Sequence, residues 1–501
     1  MQLAELSTQH QRQSDFLARR SFGNWIDGRE VAPHSARHLS VIDPATEMTI
    51  ADVADSDAHD IDAAVRAARR AFEADSWAKL RPADRERLLH ALAEQIERHA
   101  DELAALETLE TGKLLDVARA IDVFGGAEFV RYMAGWTTKI EGSTLDTSIP
   151  VPPGTEYFAY TKREAVGVVG AIVPWNFPLA IALWKVASAL ACGCTVVLKP
   201  SEETPLTALR LGQLAQQAGL PPGVLNIVTG SGGEAGAALV AHPGVDKITF
   251  TGSVEVGKRI GHVAVDRMAR FTLELGGKSP LIIFDDADPE AAAQGAAQGI
   301  FFNQGQVCTA GSRVYVQKRS FERVVAELAA AAERLRIGSG FDPLAQLGPL
   351  VSKGHFERVL AHIAQAREEG ATLVTGGERA LAGGYFVKPT VFVDTDASMR
   401  IVREEVFGPV VTVMPFEDAD DAVRLANGSD FGLAASVWSR DLSRVHRIVP
   451  RLKAGIVWVN THNMLDSNLP FGGVRQSGYG RELGRAALDQ FTELKSVCIA
   501  H

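Results

Sequence analysis

Cysteine is scarce. The 501 residues hold four, at positions 192, 194, 308 and 498, too few for a disulfide scaffold and better suited to a reducing compartment. Cys192 and Cys194 stand two apart, which is not the C-x-x-C spacing of zinc or redox sites, and their place at the end of an apolar helix makes them core residues. No metal site is expected. Long apolar runs are also absent: nothing approaches the roughly 20 uninterrupted residues of a membrane span. The opening segment MQLAELSTQHQRQSDFLARR has no apolar run that reads as a leader. Basic charge is short as well. Against 61 acidic residues stand 51 basic ones, a formal net charge of -10, with no dense run of Lys or Arg. Nothing supplies a footprint for a phosphate backbone, so nucleic acid is not an expected partner, and neither is a membrane. The expected setting is the cytoplasm.

What remains has the make-up of a globular protein. Hydrophobic residues at 46% and charged ones at 22% are ordinary for that class. A chain this long exceeds one core, so two or three domains are expected. The first 140 residues read as largely helical. Ile61, Ala64, Val65, Ala68 and Phe72 recur at helical spacing, as do Leu88, Leu89, Leu92 and Ile96, the second helix starting at Pro82 or Asp84. From Val166 the pattern alternates. VGVVGAIVP, TVVLKP, VLNIV, VDKITFTGS and FTLELGG read as buried strands, with helices between them, the first opening at Pro178 and closing at Gly193. Such alternation predicts α/β architecture: a doubly wound, Rossmann-like parallel sheet. A second α/β region follows with SPLIIF, RVYVQ, VVTVMPF and IVWVN as strands. TEYFAYTKREAV and ELKSVCIA alternate like exposed strands and fit neither sheet, which suggests edges that pair with another subunit.

Ligands of a doubly wound sheet lie at the carboxyl ends of its strands. Those ends carry Asn176, then Lys199, Ser201 and Glu202, then Gly252, Ser253 and Gly257, then Glu274, Gly276 and Gly277. GSVEVG is not the GxGxxG fingerprint and is equally a plain helix start, which still offers N–H groups to a phosphate. Lys199 and Glu202, at i and i+3, read either as a surface pair or as ribose ligands. Glu274, between two leucines in a buried strand, needs a partner or a task. It is either one half of a salt bridge or a desolvated general base. The loop FFNQGQVCTAGSR places Cys308 among small and polar residues, a poor setting for core filler and a good one for a nucleophile. A thiol attacking a carbonyl needs an oxyanion donor, which Asn176 offers. A thioester needs a base to activate water, which Glu274 offers. The constellation suggests oxidation of an aldehyde to an acid through a thioester, with a hydride acceptor held on the Rossmann-like sheet.

Together PWNFP, KPSE, FTGSVEVG, LELGGKSP, FFNQGQVCTAGSR, EEVFGPV and LPFGG resemble the NAD(P)-dependent aldehyde dehydrogenase superfamily, in order and spacing, over almost the whole chain. The resemblance implies Cys308 as nucleophile, an oxyanion hole from its backbone N–H and Asn176, and Glu274 as activator of water. It implies Lys199 and Glu202 at the adenosine ribose, Ser253 at the pyrophosphate, Glu405 at the nicotinamide ribose and Phe407 beside the nicotinamide. Ile172, Trp175, Gly232, Val256 and Gly276 match further cofactor contacts. Glu202 favours NAD+, since a carboxylate repels a 2′-phosphate, although relatives accept NADP+ too. The implied domains are a cofactor domain of residues 21–143 and 166–276, a catalytic domain of 277–476, and a small oligomerisation element of 144–165 and 486–501. Homodimers or homotetramers are implied. RYMAGWTTKIEGSTLDTSIPVP and WVNTHNMLDSNLPFGG look most like the bacterial phenylacetaldehyde dehydrogenases. Phe177, Trp184, Phe302, Leu465 and Phe471 would then line an apolar tunnel to Cys308. Betaine-aldehyde and aliphatic-aldehyde subfamilies share much of that wall, and Leu465 stands where many relatives carry an aromatic ring.

Overall fold

The computed structural model describes residues 15–501; residues 1–14, most of the segment read as lacking a leader, lie outside it. An eight-stranded sheet runs in the order Gly478–Tyr479, Arg270–Leu275, Lys247–Gly252, Val168–Ile172, Thr195–Lys199, Leu225–Ile227, Asn24–Ile26, Arg29–Val31. Its five central strands are parallel, and antiparallel pairings close it at both edges. The strand order reverses between Val168–Ile172 and Lys247–Gly252, so a switch-point crevice opens at Ile172 and Gly252.

Local chemistry explains the layers. Val196 and Leu198 enter one core while Val197 enters the core on the opposite face, with Val169 and Val168 divided the same way. A strand buried on both faces must be apolar at every position, which is why these segments read as unbroken runs. The helix Pro178–Ala191 opens with Pro at its first turn and is followed by Gly193 at φ 89°. The helix Ala58–Glu73 begins at a capping box in which Asp57 accepts from the N–H groups of His59 and Asp60. It presents Ile61, Ala64, Val65 and Ala68 to the sheet. Each fully buried valine, leucine or isoleucine of these layers contributes about 1.5–3 kcal/mol of transfer free energy.

The second sheet has seven strands: Thr372–Thr375, Thr390–Val393, Val410–Phe416, Arg313–Gln317, Pro280–Ile283, Ala434–Trp438, Ile456–Val459. All are parallel except the Thr372–Thr375 edge. Its two faces again carry separate cores, Ile282 and Tyr315 on one, Leu281, Ile283 and Val314 on the other.

One expectation needs correction. The first 140 residues are not mainly helical from the outset: Ser21–Phe22, His38–Asp43 and Met48–Ala54 form a three-stranded sheet, and Asn24–Ile26 and Arg29–Val31 extend the eight-stranded one. These strands are short and half exposed, so their stability comes from distant partners rather than local pattern. The two orphan strands also pair with each other, and Thr492–Ala500 is the outer strand of their sheet. Tyr157–Ala165 and Thr492–Ala500 are antiparallel over their whole length, and Thr144–Leu145 completes a third sheet. Among the described residues no helix is long and apolar enough to cross a membrane.

Candidate active site

The turn after Val168–Ile172 and the cysteine loop are laced together. Asn176 is buried, and its Nδ2 donates to the carbonyl of Gln306 at 2.9 Å. Asn303 Nδ2 returns a bond to the Asn176 carbonyl at 3.1 Å. The loop folds through three left-handed residues, Asn303, Gln304 and Gly305, with φ of 47°, 58° and 72°. At Gly305 a Cβ would stand 2.1 Å from the Gly408 carbonyl oxygen, so only glycine fits. Close packing also brings LELGG onto the thiol. A Cβ at Gly277 would lie 2.6 Å from the Cys308 carbonyl oxygen, and one at Gly276 would lie 2.1 Å from Glu405 Oε2. The Gly277 amide donates to Glu405 Oε1 at 2.9 Å.

Three titratable groups thereby share one site. Glu274 is 3% exposed, and neither carboxylate oxygen has a full hydrogen bond. Burial pushes its pKa well above the usual range and Glu482 adds to the rise, against Lys185, Arg481 and the Gly473 amide. Cys308 keeps partial exposure, yet burial of the thiol and the nearby Glu405 and Glu274 push its pKa up, with the Thr309 amide and its own opposing. Glu405 is raised to about 7, chiefly by burial. A buried carboxylate without partners is costly unless it has a task, and its raised pKa suits a base near neutral pH.

The cofactor candidates cluster on the switch-point side. Lys199, only 2% exposed, meets Glu202 at 3.2 Å, so it is no surface residue. Burial lowers the Lys199 pKa; for Glu202 burial acts upward, but Lys199 carries the carboxylate below its ordinary value. The Gly232 amide reaches Glu202 Oε1 at 3.5 Å, and a side chain at Gly232 would meet nothing within 4 Å, so space stays open beside the pair. Ser253 caps the helix Val254–Asp266, its hydroxyl accepting from the Val256 amide at 3.4 Å; both residues are exposed at that helix start. Ile172 is half buried at its strand end. Trp175 packs edge-on against Phe407, ring centroids 5.2 Å apart, and Phe407 sits at φ 56°. Lys199, Glu202 and Ser253 stand at or just past strand ends beside the switch point, where a doubly wound sheet takes its ligand.

The aromatic candidates divide into two pairs. Phe177 stacks on Phe302 at 6.2 Å, and Trp184 meets Phe471 at 5.9 Å. Phe177 packs against the cores of both large sheets, and Lys113 Nζ lies 4.2 Å from its ring. Leu465 is exposed, as are Met464 and Leu469.

Some residues escape the sequence reading. Lys185, on the helix Pro178–Ala191, is fully buried, donates to Thr249 Oγ1 at 3.1 Å and pairs with Glu482 beside Glu274. A lysine inside an otherwise apolar helix is the same signal that marked Glu274. Lys113 is buried with Asp122 at 2.6 Å and Glu107 at 3.6 Å, behind Phe177. His355 is held neutral, burial lowering its pKa to about 4, and its Nε2–H donates to the Phe407 carbonyl at 2.7 Å. His34, Asp57 and His59 bring ligand-capable atoms within 4.8 Å at the surface, where Asp57 already caps a helix.

Two α/β sheets thus bring a thiol, a desolvated carboxylate and a carboxamide into one site. The aldehyde dehydrogenase family matches residues 31–497, and the chain belongs to that family. It is 53% identical over 478 residues to phenylacetaldehyde dehydrogenase of Pseudomonas fluorescens, covering 95% of each. Among solved structures it resembles the P. syringae indole-3-acetaldehyde dehydrogenase in complex with NAD+ and IAA, at 41% identity and TM-score 0.95, with 100% of each chain covered. It is similar as well to a betaine aldehyde dehydrogenase of Staphylococcus aureus in complex with NAD+, at 40% identity and TM-score 0.94, covering 97% of this chain and 95% of that one.

Proposed function

We propose that this protein oxidises phenylacetaldehyde, or a closely related arylacetaldehyde, to its acid with NAD+. The convergence of Cys308, the unpartnered Glu274 and Asn176 carries the reading. The Cys308 thiol gives up its proton to water as its sulfur bonds the aldehyde carbon, and the carbonyl electron pair moves onto oxygen to give a thiohemiacetal anion. The Asn176 carboxamide has two N–H donors. One is fixed on the Gln306 carbonyl, which aims the other at the developing oxyanion beside the Cys308 amide. NAD+, when bound, supplies the acceptor for the hydride released from that carbon. The remaining thioester is cleaved by a water whose proton Glu274 accepts, and the acid leaves. Lys199 and Glu202 hold the adenosine ribose, and the Glu202 carboxylate disfavours a 2′-phosphate. Ser253 and the helix start at Val254 receive the pyrophosphate; Glu405, Trp175 and Phe407 frame the nicotinamide end. The aromatic pairs Phe177–Phe302 and Trp184–Phe471 offer ring faces and edges on which an aryl group can pack.

The same reading assigns residues 21–143 and 166–276 to cofactor binding, 277–476 to catalysis, and the third sheet to a homo-oligomer interface in a cytoplasmic enzyme. The test is NADH formation by the purified protein with phenylacetaldehyde, betaine aldehyde and hexanal, each with NAD+ and NADP+. The expected kcat/KM for phenylacetaldehyde with NAD+ exceeds the others by about tenfold, ~1.4 kcal/mol of transition-state preference. Equal rates on all three would reduce the substrate to aldehydes in general.

A further inference from the structure

The segment after Ile456–Val459 is stitched to the cysteine loop at successive residues. Asn460 exchanges bonds with the backbone of Ser439 at 3.0 Å in both directions. His462, 6% exposed, places Nε2 2.8 Å from the Thr309 carbonyl and Nδ1 3.1 Å from Ser436 Oγ. Asn463 Oδ1 accepts from the Thr309 hydroxyl at 2.7 Å, and its Nδ2 donates to the Gly299 carbonyl at 3.3 Å. Trp458 holds the far side: its indole N–H donates to the Met464 carbonyl at 2.7 Å, and its ring meets His462 edge-on at 4.9 Å. Asn460 and Asn463 both adopt left-handed backbone, φ 54° and 59°, which asparagine tolerates better than other side chains. Glycine at 299 and 311 makes room for the imidazole, since a Cβ at 299 would stand 3.1 Å from His462 Cδ2.

Thr309 is thus gripped twice, by its carbonyl and by its hydroxyl, from two consecutive residues 153 and 154 positions away. It directly follows Cys308, and its amide faces the thiol. Burial keeps His462 neutral, with a pKa lowered to about 4, so one tautomer satisfies both contacts: Nε2–H donates to Thr309 and Nδ1 accepts from the Ser436 hydroxyl.

We infer that His462 and Asn463 are positioning residues that clamp Thr309 and so set the attack geometry of the Cys308 sulfur, an inference resting on the assignment of Cys308 as nucleophile. The clamp belongs to the loop that also carries Leu465, so nucleophile position and the outer substrate wall are built on one segment.

A double-mutant cycle tests it. Thr309→Val removes the hydroxyl at constant shape, Asn463→Leu removes its acceptor, and the pair removes both. The readouts are the rate of Cys308 alkylation by iodoacetamide, kcat and KM for phenylacetaldehyde, and NAD+ binding by calorimetry. Each single variant should slow alkylation and kcat by about tenfold, with NAD+ affinity unchanged, since small misplacement of a reacting atom is costly in rate. Asn463→Leu also loses the Gly299 bond and places leucine on left-handed backbone, so the double variant should match Asn463→Leu alone rather than multiply the two. Thr309→Ser, which keeps the hydroxyl, should restore both rates. Wild-type alkylation and kcat in Thr309→Val, or a double variant equal to the product of the singles, overturns the clamp. Cys308→Ala is measured alongside: retained turnover there would instead overturn the nucleophile assignment and take the clamp with it.

Discussion

Glu274 and Cys308 divide the chemistry through their surroundings. Glu274 lies buried without a full hydrogen bond, and its raised pKa makes it a stronger base than any surface carboxylate. If its task is to activate water on the thioester, Glu274→Gln should leave the first NADH intact. Rapid mixing should then show a burst of NADH stoichiometric with sites, followed by a steady state slowed by about a hundredfold or more. Absence of both a burst and trapped acyl-enzyme would remove Glu274 from the hydrolytic step. These two residues were legible in the sequence because each contradicts its own neighbourhood: a carboxylate between leucines, a thiol among amides and glycines. Lys185 contradicts its apolar helix equally, but its meaning depends on Glu482, 297 residues away, and no local pattern announces that meeting. His462 is silent for the same reason, its partner Thr309 being 153 positions distant. Leu465 could be named from sequence, yet only the fold shows it exposed.

Elements whose strands are buried on both faces were readable almost end to end, because every position must be apolar. The exceptions are the polar side chains those strands still carry inward. Lys247, at the start of Lys247–Gly252, is 1% exposed; its Nζ meets Thr272 Oγ1 at 3.3 Å and lies 5.1 Å from the Phe491 ring. Burial, then the charge of Lys185, lowers its pKa from 10.5 to about 7. Between those two values the unfolded chain binds a proton that the native protein has lost, so this residue makes stability rise with pH across that window. Lys247→Met removes the penalty. Relative to wild type it should gain stability of order a few kcal/mol at neutral pH and below, shrinking toward zero as pH approaches the unfolded value. Urea unfolding of both proteins across that range measures it, and a gain that grows with pH would refute the account. The short strands between residues 21 and 54 were not legible, since half-exposed segments of two to seven residues take their conformation from distant partners.

At the scale of the molecule, the third sheet carries an exposed apolar row. Ile499 pairs across strands with Phe158 and Val497 with Tyr160, and Ile499 and Phe158 are 46% and 48% exposed. Paired strands with a wet apolar face match the proposed oligomer interface better than a solvent-facing surface. Phe158→Glu with Ile499→Glu should lower the mass measured by light scattering to that of a smaller species, with the far-ultraviolet circular dichroism unchanged. An unchanged mass would place the interface elsewhere.

The position of Phe177 has a consequence for how such an enzyme can diversify. That ring belongs at once to the cores of both large sheets and covers the buried Lys113. Libraries that vary it would change folding yield and substrate range together, and most members would be lost before selection reached their specificity. Leu465 is exposed and belongs to neither core, although it lies two residues past Asn463 on the segment proposed to clamp Thr309. On the proposed substrate reading, adaptation to a new aldehyde runs more freely through side-chain changes at 465 than through the inner aromatic residues.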